Sequence, residues 1–337
     1  MRAAALALAA IALVAILTTR AASAAPDAPA ALAGVAGLKL TQKVQLLGGR
    51  LEAALPAAMK LEPRGHGIMA AGAADEDETR AVLDLGKTRF VMMTYELFTL
   101  TGPDLPAAIA ADKKARGEPT QALKLAPLAV ARPLTAVAEL PPATKGDADA
   151  NLVYVAWIGN TDATVQLLAF YINPDGARAA ASWAQLARTI ALSLKPGSRT
   201  LDSKAASHKL GAGPETVTIA TPDGWIATTQ PGPDFTIYHL RKLTLLGAPA
   251  VSCGIYLGGH ASYQFSQSSI DQAKVKPSPA TLFHAATTWQ TWTADGSRFT
   301  TEAMARHPGG SATIHTWCSA DTEPALVELR KMIETIQ

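Results

Sequence analysis

The spacing of apolar and polar positions changes several times along the chain, and each change marks an element. Residues 152–158 are an almost unbroken apolar run, Gly159-Asn160-Thr161-Asp162 is a polar turn, and residues 164–172 are a second run rich in aliphatic and aromatic side chains. This pattern predicts a β-hairpin. Beyond Asp175 the period lengthens, and Ala180, Trp183, Ala187, Ile190 and Leu194 fall on one helical stripe before Pro196. The same order of events recurs near the C-terminus. Residues 298–304, a turn around His307-Pro308-Gly309-Gly310, and residues 312–318 predict a second hairpin; Leu326, Leu329, Met332, Ile333 and Ile336 form a second stripe after Asp321. Asp175 and Asp321 are the expected helix caps, since a short side-chain oxygen can accept from first-turn amides.

At a constant offset of 146, residues 152–190 lie on 298–336 without a gap. The openings agree too: Leu51-Glu52-Ala53-Ala54-Leu55-Pro56-Ala57-Ala58-Met59 matches Val217-Thr218-Ile219-Ala220-Thr221-Pro222-Asp223-Gly224-Trp225 at an offset of 166. An internal repeat of this length predicts two related units. The difference between offsets assigns about twenty extra residues to the first copy, expected as a weakly packed surface insertion in the aromatic-free region 99–151. Between opening and closing elements, residues 79–85 and 89–98 predict a hairpin, 104–115 a helix, and 235–240, 248–257 and 287–293 strands. The fold class is therefore α+β: two tandem domains, each an antiparallel sheet of five or six strands with a C-terminal helix packed on one face. The expected boundaries are a flexible lead-in at 25–43, a first domain at 44–197, a linker at 198–207 and a second domain at 208–337.

A strand ending in Pro-Asp-Gly-Trp, an antiparallel meander and a closing amphipathic helix resemble the Mog1/PsbP-like fold. Thr221-Pro222-Asp223-Gly224-Trp225 and the helix over 324–336 carry the resemblance, while the first copy departs from it with Pro56-Ala57-Ala58-Met59. The resemblance implies tandem Mog1/PsbP-like domains and, for function, a non-catalytic accessory or binding role like that of exported, DcrB-like bacterial proteins. It brings no catalytic motif.

The N-terminus predicts export. Met1-Arg2, an Ala/Leu-rich apolar run and Ala22-Ser23-Ala24 have the order of a secretory signal peptide cleaved after Ala24. The run is shorter than the roughly 20 residues of a spanning helix, so no transmembrane span is expected after cleavage. An uncleaved anchor is the alternative. Of 30 Lys+Arg and 28 Asp+Glu, Arg2 and Arg20 leave with residues 1–24, and the remaining chain is neutral. That argues against nucleic acid as a partner, which needs clustered positive charge; an envelope protein or a small ligand is expected instead. Hydrophobic residues make up 48% of the chain, but about one residue in five is alanine.

Candidate chemistry is sparse. Gly86-Lys87-Thr88 sits between two strand-like runs, where a hairpin turn fits better than a phosphate loop, and Gly211-Ala212-Gly213-Pro214 lacks a dinucleotide fingerprint. The seven histidines show no zinc spacing, and Asp75-Glu76-Asp77-Glu78 is expected as a solvated loop. No catalytic, cofactor or metal residue is expected. Cys253 and Cys318 fall in predicted strands, and export to an oxidising compartment favours a disulfide over two buried thiols. Tyr256, His260 and Tyr263 around Gly258-Gly259 are candidate ligand contacts. Trp289 and Trp292, three apart on a strand, point to opposite faces, so one is a candidate partner contact. The reading is an exported, non-catalytic binding or accessory protein, periplasmic or secreted; the alternative is a periplasmic hydrolase whose site assembles only in three dimensions.

Overall fold

The computed structural model describes Val35 and residues 37–62, 78–115, 125–139, 151–211, 215–232, 234–267, 270–294 and 298–337. The signal peptide, most of the lead-in, Asp75-Glu76-Asp77, Ala212-Gly213-Pro214 and the turn at Asp295-Gly296 lie outside the described residues. The chain divides into two compact units. Unit 1 contains the described residues up to Glu62, those from Glu78 to Thr200, and Leu245–Gly247; unit 2 contains Leu201–Thr244 and Ala248–Gln337.

The strands of unit 1 are β1 (Leu40–Leu46), β2 (Leu51–Pro56), β3 (Lys60–Glu62), β4 (Glu78–Leu85), β5 (Thr88–Leu100), β6 (Leu125–Pro127), β7 (Thr135–Glu139), β8 (Asn151–Gly159), β9 (Thr164–Ile172) and β10 (Lys195–Pro196), with helices α1 (Leu105–Ala115) and α2 (Ala180–Leu192). The main sheet follows the order β3-β4-β5-β9-β8-β7-β6, and β1-β2-β10 form a smaller sheet. One core cluster joins the small sheet, through Leu51, Ala53 and Leu55, to the main sheet, through Phe90 and Phe170, and to α2, through Trp183, Ala187 and Ile190. A second cluster lies on the other face of the main sheet, where Leu105 and Ile109 of α1 meet Val137, Val155 and Trp157.

Unit 2 repeats this plan. Its elements are β11 (Ala206–Leu210), β12 (Val217–Thr221), β13 (Trp225–Pro231), β14 (Phe235–Lys242), β16 (Ser252–Gly258), β17 (Lys276–Leu282), β18 (Ala285–Ala294), β19 (Arg298–Arg306) and β20 (Thr313–Ala320), with α3 (Gln264–Gln267) and α4 (Glu323–Ile333); the short β15 (Thr244–Leu245) falls where the division between the units crosses the chain. The sheet order β13-β14-β16-β20-β19-β18-β17 matches unit 1 strand for strand, and β11-β12 stand where β1-β2 do. Gln337 takes the place of β10, exchanging backbone hydrogen bonds with Thr218 at 2.8 and 3.1 Å. Leu326, Leu329, Ile333 and Ile336 bury the helix stripe against Ile255, Ile314 and Trp289.

Several expectations need correcting. Each main path has seven strands rather than five or six. The lead-in does not reach residue 43, because Leu40 to Lys43 already pair with β2. The expected 198–207 linker ends in β11, which pairs with β12 from Ala206 onward, and Arg199 N–H donates to Gly49 O at 3.1 Å. The described residues of 99–151 are not a weakly packed surface insertion: α1, β6 and β7 lie among them, and Leu105, Ile109 and Val137 are buried. The caps also differ, since α4 is capped by the Thr322 hydroxyl accepting from Ala325 N–H at 3.3 Å, and α2 has no side-chain cap.

The gapless offset fails across one hairpin. With β20 laid on β9 at 146, Ile314 falls on Leu168; Ile314 opposes Ala305 whereas Leu168 opposes Ala156, so β19 lies on β8 at 149. Three is an odd slip, and an odd slip in a strand moves every side chain to the opposite face.

Candidate functional site

Strand β19 alternates strictly. Phe299, Ala303 and Ala305 face the α4 core, while Glu302 projects from the other side into a fully buried position. An isolated carboxylate cannot stay charged in such a place without donors, and Glu302 has three. The His315 ring nitrogen Nε2 lies 2.6 Å from its Oε2, Gln264 N–H donates to Oε2 at 2.9 Å, and Phe265 N–H donates to Oε1 at 3.0 Å. Glu302 thus orients His315 and ties the first turn of α3 to the sheet. Strand pairing places His315 opposite Met304 on one side and Tyr256 on the other.

Aromatic rings surround the pair. Tyr263 stands edge-on to His315 at 6.1 Å and beside Phe265 at 5.2 Å; Phe265 reaches Trp292 at 6.1 Å, and Trp317 lies 5.2 Å from His315. Burial, and then the nearby Glu302 charge, push the Tyr263 phenol above its ordinary pKa. Of the residues singled out from sequence, Tyr256, Tyr263 and Trp292 converge on this face. His260 stays exposed, with Nε2 3.7 Å from Asp234. Its N–H donates to the Tyr256 hydroxyl at 3.2 Å. Trp289 is on the opposite face, where its indole N–H donates to Glu334 at 2.8 Å under the Arg330 guanidinium. The two tryptophans do point opposite ways, but neither is an exposed anchor, at 1% and 5% exposure.

Cys253 and Cys318 oppose each other in register on β16 and β20 and form a disulfide, with an S–S distance of 2.07 Å. A pair of directly opposed strand residues on one face brings two Cβ atoms within bridging distance.

Unit 1 holds a different polar cluster that sequence reading missed. Arg50, just before β2, sends Nε to Glu96 at 2.9 Å, Nη1 to Asp162 at 3.2 Å and Nη2 to the Thr164 hydroxyl at 2.6 Å. Gln166 donates to Glu96 at 2.8 Å. One guanidinium serves two carboxylates, and burial raises the Glu96 pKa to about 7 against the pull of Arg50. The signal for this cluster is a lone glutamate, Glu96, inside the largely apolar strand β5, whereas Glu302 stands beside Thr300 and Thr301 and carries no such signal. Unit 1 also has an open cleft of about 450 Å³ lined by Gln45, Gly48, Gly49, Glu62, Thr79 and Ser198. Its polar groups hold the fold: Thr79 Oγ1 accepts from Leu47 N–H at 2.7 Å, and Glu62 pairs with Arg80 and Arg89 at 3.2 and 2.9 Å.

No known family model matches the chain, and no curated protein matches it. Among the described residues no group of three or more His, Cys, Asp or Glu is placed to hold a metal ion, and no helix is long and apolar enough to cross a membrane.

Proposed function

We propose that the chain is an exported, non-catalytic binding or accessory protein of the bacterial cell envelope, built from two tandem Mog1/PsbP-like domains. The observation that carries this reading is the use made of its most enzyme-like group. A general base needs a free acceptor within reach of a substrate proton, whereas both oxygens of Glu302 already accept from its own chain. Glu302 therefore serves as an anchor for α3 and for His315, and His315 is itself buried between Tyr263 and Trp317. The Cys253–Cys318 disulfide suits an oxidising compartment, and the matching strand orders support duplication of one domain.

The test has two arms. N-terminal sequencing of the protein from the envelope fraction is expected to begin at Ala25. Mild crosslinking there, followed by purification, is expected to recover one reproducible partner or bound ligand. A cytoplasmic protein that keeps Met1, or repeated recovery of the bare chain, contradicts the reading.

A further inference from the structure

We infer that the face of the unit 2 sheet turned away from α4 is a binding platform for a neutral saccharide, with the Trp317 indole as its floor. This deepens the binding-protein reading and rests on it. The geometry starts from two glycines in β16. Glycine weakens a strand interior unless something must approach the backbone closely. A Cβ on Gly254 would stand 2.1 Å from Cζ2 and 2.2 Å from Cε2 of Trp317, and one on Gly258 would stand 2.6 Å from the Tyr256 hydroxyl and 2.7 Å from Phe235 Cβ. The indole therefore packs against the β16 backbone where Gly254 leaves room for it, and it stays half-buried rather than covered. Strand register explains the seat, because Gly254 opposes Trp317 directly, with His239 on its other side.

Trp317, Tyr256 and Phe235 are each half-buried, and Phe235 stacks on Tyr256 at 5.3 Å. Phe265, whose N–H donates to Glu302, and Tyr263, edge-on to His315, stand beside this floor as a wall. Polar groups on the same face include a hydroxyl pair, Ser319 with Thr300, and an imidazole–amide pair, His239 with Gln230. The charge pattern selects the ligand. Glu302 is buried with both oxygens engaged, Arg241 is bonded to the Thr228 hydroxyl and Arg298 to the Ala250 carbonyl, and Arg306 stands at the end of β19 opposite Thr313, so these charges are committed to the fold or stand at the rim, and the floor itself is shaped neither as a cage for a cation nor as a cradle for an anion. A pyranose offers a C–H face to an aromatic ring and a rim of hydroxyls to such polar neighbours. Large aromatic area with a few convergent polar groups is the general composition of a ligand site. The equivalent face of unit 1 is filled, since Ala169 stands where His315 does, and Leu105 and Ile109 of α1 pack over Val155 and Trp157.

The test is calorimetric titration of the full chain with β-1,4-linked tetrasaccharides of N-acetylglucosamine and of glucose, with decaproline as a third titrant. One of the two saccharides is expected to bind, and Trp317→Ala is expected to weaken it about tenfold or more, while His284→Ala at an exposed turn leaves it unchanged. In the unsubstituted protein, nuclear Overhauser contacts are expected between sugar C–H protons and the Trp317 indole, which keeps the test decisive if Trp317→Ala folds poorly. Absence of binding by either saccharide at millimolar concentration, binding of decaproline instead, or sugar contacts elsewhere overturns the proposal. If an envelope partner is still recovered, only the platform falls; if neither is found, the binding-protein reading falls with it.

Discussion

The two units share one strand order, yet their second faces do opposite things. In unit 1 that face is apolar and α1 covers it with Leu105 and Ile109. In unit 2 the described residues between β16 and β17 form the four-residue α3 and a 3-10 turn at Gln272–Lys274, and the face beneath α3 carries Glu302, His315 and half-buried rings. The difference teaches that this sheet is stable with either finish. An apolar face needs a helix to exclude water, whereas a polar and aromatic face can remain partly open if its buried charge is fully bonded. The units also differ in how they are fastened: unit 2 by a disulfide between central strands, unit 1 by the Arg50 cluster that ties the small sheet to β5 and β9.

The largest expected effect follows from that contrast. Replacing Cys253 and Cys318 by serine opens a 65-residue loop and should cost ~4 kcal/mol in the chain-entropy model. Denaturant unfolding monitored at a unit 2 tryptophan should register the loss, and one monitored at Trp183 of unit 1 should not. Equal losses at both probes would break the independence of the two fastenings.

The next effect is pH dependence in unit 1. The folded-state pKa of Glu96 is raised to about 7 from 4.5, so the native state binds the proton more tightly than the unfolded chain. Its contribution is fully present below the unfolded value and is lost as pH rises through the folded one, a fall of about 3 kcal/mol. Denaturant titrations from pH 4 to 8 should show this decline, and Glu96→Gln should flatten it. A stability that rises over the same window would contradict the assignment.

A smaller effect is expected in unit 2, where Glu302→Ala leaves two backbone donors and the His315 ring without their acceptor. The cost should be about 2 kcal/mol, accompanied by faster amide exchange at Gln264 and Phe265. The smallest is Thr322→Ala, which removes the α4 cap and should cost about 1 kcal/mol, measured as a shift in the thermal midpoint.

How far the sequence could be read depended on the element. The closing hairpins and helices were legible because their apolar stripes are long and their turns polar, and Cys253–Cys318 was legible from strand placement and compartment. Strand β17 was not, because Pro277 and Pro279 interrupt the pattern expected of a strand. They are tolerated because β17 is an edge: residues two apart direct their missing N–H groups to the same, unpaired side. The odd slip between β8 and β19 was hidden for a related reason, since side-chain identity alone does not reveal which face of a strongly apolar strand is the core. The Glu302–His315 and Arg50–Glu96 pairs were hidden because partners 13 and 46 residues apart meet only through strand register and sheet packing. The close seat of Trp317 on Gly254 is likewise a product of register.

Amide hydrogen exchange on the full chain, with and without the N-acetylglucosamine and glucose tetrasaccharides, compares the two faces in one experiment. The account predicts added protection in β16, β20 and the 259–267 segment of unit 2 with one of the sugars, and none in β5, β9 or α1 of unit 1. Protection shared by both units, or confined to unit 1, would contradict the claim that the second face of unit 2 is the working surface of this protein.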